Sequence, residues 1–155
     1  MNGLKDDELS DMRLYHIGFI FQFFNLIPSL TVLENIELPL ALAGKKKKER
    51  KERALQLLSY IELNHLSERY PESLSGGERQ RTAVIRALTN NPDIILADEP
   101  LSSLDDENAK FLMNLLKKIN QENEVTIVMT TTDLYRKLPT ITDYFLKDGK
   151  LSEVT

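Results

Sequence analysis

The sequence of 155 residues contains no cysteine and only two histidines, and these gaps exclude several classes of protein. Without cysteine there is neither a disulfide framework nor a thiolate metal site. His16 and His65 are too far apart in sequence to give the ligand spacing of a zinc site. No apolar run reaches the ~18 residues of a transmembrane helix. The acidic start MNGLKDDELSDMR lacks the basic and apolar parts of a signal peptide.

An excess of positive charge is also lacking. The chain has 20 Lys and Arg against 24 Asp and Glu, which gives a net charge of −4. Nucleic-acid-binding proteins are usually basic, so no nucleic-acid partner is expected. The hydrophobic fraction of 41% and the charged fraction of 28% are typical of a folded cytoplasmic protein. The length fits one domain or a piece of a larger one.

Apolar runs and helix signals alternate along the chain. Strands are predicted at 17–21, 94–97, 125–129 and 144–146, and helices at 32–42, 54–61, 75–88 and 107–119. The first ten residues are interpreted as a loop or a frayed helix, and Asp148-Gly149 as a turn. The run at 94–97 is typical of a parallel strand covered on both faces. From residue 93 onward the order is strand, helix, strand, short helix, strand, which predicts an α/β fold with a parallel sheet.

A run of lysines and arginines with two glutamates occupies residues 45–53. One interpretation is the solvated first turns of the helix whose apolar stripe comprises Ala54, Leu57, Leu58 and Ile61. The other is a contact with anionic lipid or nucleic acid. The interspersed glutamates and the acidity of the whole chain favour the first interpretation.

Two adjacent carboxylates follow the apolar run at 94–97. Asp98 and Glu99 come at the end of the predicted strand, where ligands bind in open α/β sheets. Successive strand residues point to opposite sides, so the two acids need not share a role. One is suited to hold Mg²⁺, directly or through water, and the other to polarise a water molecule as general base. The alternative is a strand end with two solvated acids.

A second motif, LSGGERQR, occupies residues 74–81. Ser75 and Glu78 have the Ser-x-x-Glu spacing of a capping box, which predicts the start of a helix. Gly76 and Gly77 allow a ligand to approach the backbone closely. The serine hydroxyl and the free N–H groups of the helix start predict an anion site. An ordinary N-cap explains Ser75 and Glu78 but explains the paired glycines poorly.

Together with Gln22, these motifs resemble one family. Gln22, LSGGERQR, ADEP at 97–100 and SSLD at 102–105 have the order and rough spacing of the nucleotide-binding subunits of ABC transporters. The stretch 21–40 is similar to the ATPases of lipoprotein-release, macrolide-efflux and antimicrobial-peptide export systems. The resemblance implies part of a P-loop NTPase (RecA-like) parallel-sheet core with an inserted α-helical subdomain. It assigns about 26–75 to that subdomain, and 14–25 and 76–155 to the remaining core, all within one truncated domain of residues 1–155.

The resemblance implies ATP and Mg²⁺ as cofactors and gives three residues a role in the reaction. Gln22 would sense Mg²⁺ and the γ-phosphate. Asp98 would be the Walker B carboxylate near Mg²⁺. Glu99 would be the general base that activates water.

The resemblance also implies two protein partners. The signature residues would contact the γ-phosphate of ATP bound mainly to a second ABC ATPase subunit; they are Ser75, Gly76, Gly77 and Glu78. Asp105 would lie at that dimer interface. Residues 21–40 would dock on the coupling helix of a transmembrane permease, although ordinary core packing explains their apolar content equally well. These partners place the protein in the cytoplasm, peripheral on the inner face of the cell membrane.

Two features depart from the family pattern. No G-x-x-x-x-G-K-[ST] occurs, since the Gly-Lys pairs at 44–45 and 149–150 precede Lys and Leu, so the Walker A phosphate cradle is missing. Thr132 takes the position of the catalytic switch histidine, and a hydroxyl lacks the reach and charge of an imidazole. We therefore expect little or no hydrolysis by the chain alone. We also expect exposure of residues 94–97 and 125–129 and a marginal stability.

Three functions are compatible with the sequence. The first is an ATP-binding subunit of an ABC transporter, here incomplete, that powers export or membrane extraction by ATP hydrolysis at a dimer interface. The second is a non-catalytic module whose LSGGE signature completes the ATP site of an intact partner. The third is a gene remnant without activity, which fits Thr132, although the intact Gln22, Asp98 and Glu99 require any decay to be recent.

Overall fold

The computed structural model describes residues 5–133 and 140–154. Its elements in chain order are α1 (Asp6–Tyr15), β1 (Ile17–Ile20), α2 (Val32–Leu42), α3 (Lys47–Tyr60), two single 3₁₀ turns (Asn64–Leu66 and Pro71–Ser73), α4 (Gly76–Leu88), β2 (Ile94–Asp98), α5 (Asp106–Asn123), β3 (Thr126–Thr130), β4 (Tyr144–Lys147) and β5 (Lys150–Glu153). None of the helices in the described ranges is both long and apolar enough to cross a membrane.

Three parallel strands form the sheet, in the order β1-β2-β3. The register pairs Ile17 with Ile94 and Ile94 with Thr126, and it ends where Asp98 lies beside Thr130. Parallel strands share one direction, so their carboxyl ends, and the residues that follow them, meet at a single edge. The predicted α/β architecture with a parallel sheet is confirmed, and this edge is where the predicted carboxylates lie.

The two faces of this sheet have different surroundings. Ile95 and Ala97 of β2 are buried, whereas Ile94 is 39% exposed and Val128 of β3 is 51% exposed. The prediction that β2 is covered on both faces is therefore wrong, because the described residues pack against one face only. The expected exposure of residues 94–97 and 125–129 is confirmed for Ile94 and Val128 but is wrong for Ile95, Ala97 and Val125, which are buried. Such an apolar surface favours association with other apolar surfaces.

One hydrophobic core connects the sheet with the helices. It runs from Ile36 of α2 and Leu58 of α3 through Ile85 of α4 to Ile95 of β2 and Leu112 of α5. The helices before α4 thus belong to the same hydrophobic core as the sheet. At Gly18 of β1 an added Cβ would meet a backbone oxygen of α4 at 2.5 Å, so only glycine permits this approach of strand and helix.

Two expectations about the chain ends need correction. The first ten residues include an ordered helix, α1, whose first turn carries three acids that favour a helix N-terminus. The strand predicted near Tyr144 exists, but β4 pairs antiparallel with β5 rather than joining the parallel sheet. The predicted turn at Asp148 and Gly149 closes this hairpin with two left-handed residues. The short helix expected before β4 falls largely outside the described residues.

Candidate functional site

The carboxyl edge of the sheet brings Asp98 into contact with the end of β3. The Thr130 hydroxyl donates a hydrogen bond of 2.8 Å to Asp98 Oδ1. The same oxygen, Thr130 Oγ1, accepts a bond of 3.2 Å from the Glu99 backbone N–H. Thr130 therefore fixes the orientation of Asp98 and the start of the turn after it. Sequence reasoning missed Thr130, although its place at the end of a strand beside β2 was a usable signal.

Glu99 has a left-handed backbone, with φ of 46°. This conformation costs a residue with a side chain about 1–2 kcal/mol, so the surroundings must impose it. The Glu99 carbonyl accepts bonds from the hydroxyl of Ser102 at 2.9 Å and from its backbone N–H at 3.2 Å. On the next residue, the Pro100 carbonyl accepts a bond of 2.8 Å from Gln80 Nε2 of α4. Groups from α4, β3 and the following turn thus hold the backbone around Glu99.

The start of α4 is capped as the sequence predicts. Ser75 is the N-cap, its hydroxyl accepts a bond of 3.3 Å from the Glu78 N–H, and its own N–H donates to Glu78 Oε2 at 2.7 Å. The Ser75 hydroxyl also donates to Glu78 Oε2, at 2.8 Å. The backbone and hydroxyl bonds from Ser75 lower the pKa of Glu78. An internal carboxylate therefore lies at the helix end where an external anion is expected to bind.

The two glycines of this motif have different surroundings. Gly77 is buried, and a Cβ added there would come within 2.1 Å of Asn108 Oδ1. At Gly76 no atom of the ranges 5–133 and 140–154, apart from the chain neighbours and the helix's own backbone, lies within 4 Å of the added Cβ. Close packing of α4 against α5 thus explains Gly77. It does not explain Gly76, which faces open space where the first helical N–H groups have no acceptor within the helix.

Asp105 has a structural task at the N-terminus of α5. Its carboxylate accepts bonds from the Asn108 backbone N–H at 2.8 Å and from Asn108 Nδ2 at 3.0 and 2.9 Å. The backbone bond is the main reason why the pKa of Asp105 is lowered, and the side-chain amide of Asn108 adds to it. The side chain is nevertheless exposed, so capping does not prevent a contact with a partner.

The loop after Gln22 is tied to α4 and to the turn after Glu99. The Gln22 carbonyl accepts a bond of 3.2 Å from the Ser103 hydroxyl. Phe24 and Asn25 are left-handed, and their carbonyls accept bonds of 2.9 and 2.6 Å from Arg86 of α4. Burial lowers the pKa of the Arg86 guanidinium, since desolvation disfavours its charge. Sequence reasoning missed Arg86 because nothing local links it to this loop.

Among the predicted site residues, Ser75 and Glu78 are in direct contact, and Gln22, Asp98 and Glu99 lie at the carboxyl ends of two neighbouring strands. Gln80 ties the signature helix to the turn after Glu99. Thr132 is exposed, two residues beyond β3. No group of three or more His, Asp or Glu side chains suited to a metal occurs within 5–133 and 140–154. One carboxylate and one amide fit Mg²⁺, which commonly keeps waters and binds substrate phosphates.

Acid should weaken the two capped helix starts. The folded-state pKa values of Glu78 and Asp105 lie below their ordinary values of 4.5 and 3.8, so both carboxylates stabilise the fold at neutral pH. This contribution is complete above about pH 5.5 and is lost as the pH falls through the lowered values. We expect the urea midpoint, followed by circular dichroism, to fall less between pH 6 and pH 3 in Glu78→Gln/Asp105→Asn than in the wild type.

The control for this pH dependence is Glu62→Gln/Asp148→Asn, which removes two exposed acids for which the described part of the chain shows no side-chain hydrogen bond. It changes the net charge equally but should keep the wild-type pH profile. Identical profiles for the wild type and Glu78→Gln/Asp105→Asn would contradict the assignment.

Comparison with known proteins gives one consistent family. The family model described as "ABC transporter" matches residues 3–102. The uncharacterized ABC transporter ATP-binding protein MJ0796 of Methanocaldococcus jannaschii is 47% identical over 97% of this chain and 66% of its own length. The lipoprotein-releasing system ATP-binding protein LolD of Treponema denticola is 42% identical over 99% of this chain and 68% of its own length.

A solved structure agrees with these sequence matches. The dimeric post-hydrolysis state of the ATP-binding cassette MJ0796, bound to ADP and Pi, matches with a TM-score of 0.74 at 49% identity. The match covers 86% of this chain and 59% of that one. The chain thus spans about two thirds or less of the length of the proteins that it matches.

Proposed function

The chain belongs to the ABC transporter ATP-binding domain family, and from this membership we propose that it acts in a pair of cassettes that powers export or membrane extraction by ATP hydrolysis. The observation that carries the proposal is the start of α4. Ser75 is exposed, Gly76 faces open space, and Gln80 ties the same helix to the turn after Glu99. In the proposed pair, this helix start contacts ATP that is bound mainly by the opposite subunit, through Ser75, Gly76 and Gly77.

The chemistry of the helix start fits a phosphate. The first N–H groups of α4 are free of intrahelical acceptors, and the helix dipole favours an anion there. The Glu78 carboxylate stays with Ser75 until a phosphate takes up those donors. Gly77, being packed against Asn108, keeps α4 at a fixed distance from α5 and from the Asp105 cap.

The carboxyl edge of the sheet fits Mg²⁺ and an attacking water. Asp98 and Gln22 offer the oxygen ligands that Mg²⁺ prefers, and the bound metal would neutralise charge on the phosphates. Thr130 keeps Asp98 oriented toward that task. Glu99, on its constrained backbone, orients and deprotonates the water as general base. Thr132 donates one hydrogen bond where the family uses histidine.

A non-catalytic role is the second candidate, and Thr132 in the place of the switch histidine favours it. The exposed helix start at Ser75 is nevertheless intact. In this form the chain completes the ATP site of an intact cassette and leaves hydrolysis to that partner.

A permease is the proposed membrane partner. A largely apolar cavity of about 380 Å³ lies between α1, β1, α2 and α4, and its lining includes Phe21, Ile27, Leu38, Leu42 and Arg86. It opens beside the loop after Gln22, so an inserted helix would contact the loop that reaches the nucleotide edge. The protein is then cytoplasmic and peripheral on the inner face of the membrane.

Nucleotide binding and pairing test the proposal together. Calorimetry with Mg-ATP on the 155-residue chain is expected to show no saturable binding, because the phosphate cradle is absent from the sequence. With the full-length Methanocaldococcus cassette added, sedimentation should show a mixed dimer that forms only with Mg-ATP. The Asp98→Asn variant is the control for a nucleotide site within the chain itself.

Each outcome decides one part of the proposal. If the chain alone binds no Mg-ATP but pairs with the full-length cassette when Mg-ATP is present, the result supports a contact between the start of α4 and ATP in the other subunit. Saturable binding that Asp98→Asn abolishes would show that the chain holds phosphate by itself, which contradicts the inference from the missing cradle. No binding and no pairing would refute a nucleotide-dependent role.

A further inference from the structure

The structure divides the basic run of residues 45–53 into anchored arginines and outward lysines. The Arg50 guanidinium is half-buried and lies 3.6 Å from Glu37. Arg53 donates to Asn91 Oδ1 at 2.5 Å and to the Thr89 carbonyl at 3.5 Å. The arginines therefore fix α3 to α2 and to the end of α4.

The five lysines of this run are exposed, and one of them, Lys45, forms an ion pair of 3.2 Å with Glu49. We call Lys46, Lys47, Lys48 and Lys51 the lysine cluster. Lys48 has one weak partner, Glu52 at 3.9 Å, with both side chains mostly exposed. Among the described residues, no ion pair or side-chain hydrogen bond holds the other three. The cluster is thus free to meet an external surface.

The lysine cluster also lies where it destabilises its own helix. Lys46 is the N-cap of α3 without a side-chain capping bond, and Lys47 begins the helix. Cations at a helix N-terminus oppose the helix dipole. Lys47 and Lys51 are four residues apart on one helix face, where like charges repel. Neutral side chains at these positions would give a more stable helix.

An exposed apolar residue precedes the lysine cluster closely in the sequence. Leu42, the last residue of α2, is 69% exposed and also lines the cavity proposed for the permease. Only the short link of residues 43–46 separates α2 from α3. The lysine cluster therefore comes directly after a residue of the cavity at which, in the proposed function, the permease binds. That cavity faces the membrane in the proposed assembly.

We propose that the lysine cluster binds the anionic phospholipid headgroups of the membrane in which the permease lies. An anionic surface attracts each nearby lysine and offsets both the dipole conflict and the mutual repulsion. Leu42 adds a small apolar contact at the level of the headgroups. This inference goes beyond the nucleotide site and uses the proposed function only for the position of the membrane.

Vesicle flotation without nucleotide tests this contact. The 155-residue chain should float with vesicles of phosphatidylcholine containing about one third phosphatidylglycerol, and not with pure phosphatidylcholine. Lys46→Gln/Lys47→Gln/Lys51→Gln should weaken binding about 100-fold, at about 5-fold for each lysine. The melting temperature of this variant should rise by about 1–3 °C, which a merely structural role of the lysines would not produce.

The matched control is Lys110→Gln/Lys117→Gln/Lys147→Gln, which removes the same charge from exposed sites elsewhere. It should bind vesicles within about 3-fold of the wild type, since charges beyond a Debye length of about 10 Å are screened. Equal losses in both variants, or equal binding to both vesicle types, would overturn the proposal. Failure here leaves Mg-ATP-dependent pairing unaffected, so the two proposals fail separately.

Discussion

Gly76→Ala is expected to weaken Mg-ATP-dependent pairing with an intact cassette while the fold stays as stable as before or slightly more so. Among the described residues, an added methyl meets no atom within 4 Å outside its chain neighbours and its own helix backbone, so folding is not obstructed. Alanine also favours the helix over glycine, by up to about 1 kcal/mol. The methyl nevertheless fills the space through which a phosphate reaches the first N–H groups of α4. Pairing, measured by sedimentation, should weaken about 10- to 100-fold.

Gly77→Ala is the matched comparison and should show the opposite behaviour. Its methyl would come within 2.1 Å of Asn108 Oδ1, and Asn108 cannot move away without breaking its bonds to Asp105. We expect a loss of about 1–3 kcal/mol in the free energy of unfolding, measured with urea. Normal pairing by Gly76→Ala would contradict the proposal that the start of α4 belongs to the nucleotide site. Wild-type stability of Gly77→Ala would mean that α4 and α5 are not closely packed there.

Asn35→Leu should be among the most destabilising single substitutions in the chain. Asn35 is completely buried; its Oδ1 accepts a bond of 2.8 Å from the Ile27 N–H, and its Nδ2 donates to the carbonyls of Ile27, Leu30 and Thr31. Leucine has nearly the same size but leaves the Ile27 N–H and the Leu30 carbonyl without their partner, whereas the carbonyls of Ile27 and Thr31 keep bonds from the backbone N–H groups of Leu30 and Asn35. The expected loss is about 3 kcal/mol or more in the free energy of unfolding.

Two further variants make the Asn35 experiment decisive. Asn64→Leu changes an exposed asparagine that bonds to Ser59, and it should cost little. Asn35→Asp keeps the acceptor for Ile27 but loses the donors, so an intermediate loss is expected. Hydrogen exchange of residues 23–31 should accelerate more than that of the sheet in Asn35→Leu. A loss below about 1 kcal/mol would show that this loop finds its hydrogen bonds elsewhere.

Features set by neighbouring residues could be predicted from the sequence. The Ser75–Glu78 spacing predicted the start of α4, and the Asp148–Gly149 pair predicted a turn, because both depend on bonds within a few residues. The strand near Tyr144 was found, but its partner was not. The pattern of a strand does not show which strand lies beside it. In the structure, the left-handed turn at Asp148 and Gly149 brings β5 back antiparallel to β4.

Residues that act across the chain could not be predicted in the same way. Gln80 and Pro100 are 20 residues apart, Thr130 and Asp98 are 32 apart, and Arg86 and Asn25 are 61 apart. Periodicity and spacing report on one element at a time. The candidate carboxylates and the helix start were therefore found, while the side chains that hold them in place needed the assembled structure.

The left-handed backbone at Glu99 gives this position opposite demands from folding and from the proposed chemistry. Glycine adopts that conformation freely, and asparagine and aspartate tolerate it better than glutamate. The fold alone therefore does not account for a glutamate at position 99. Under the proposed function, the carboxylate needed as general base accounts for it, at a cost to stability of about 1–2 kcal/mol.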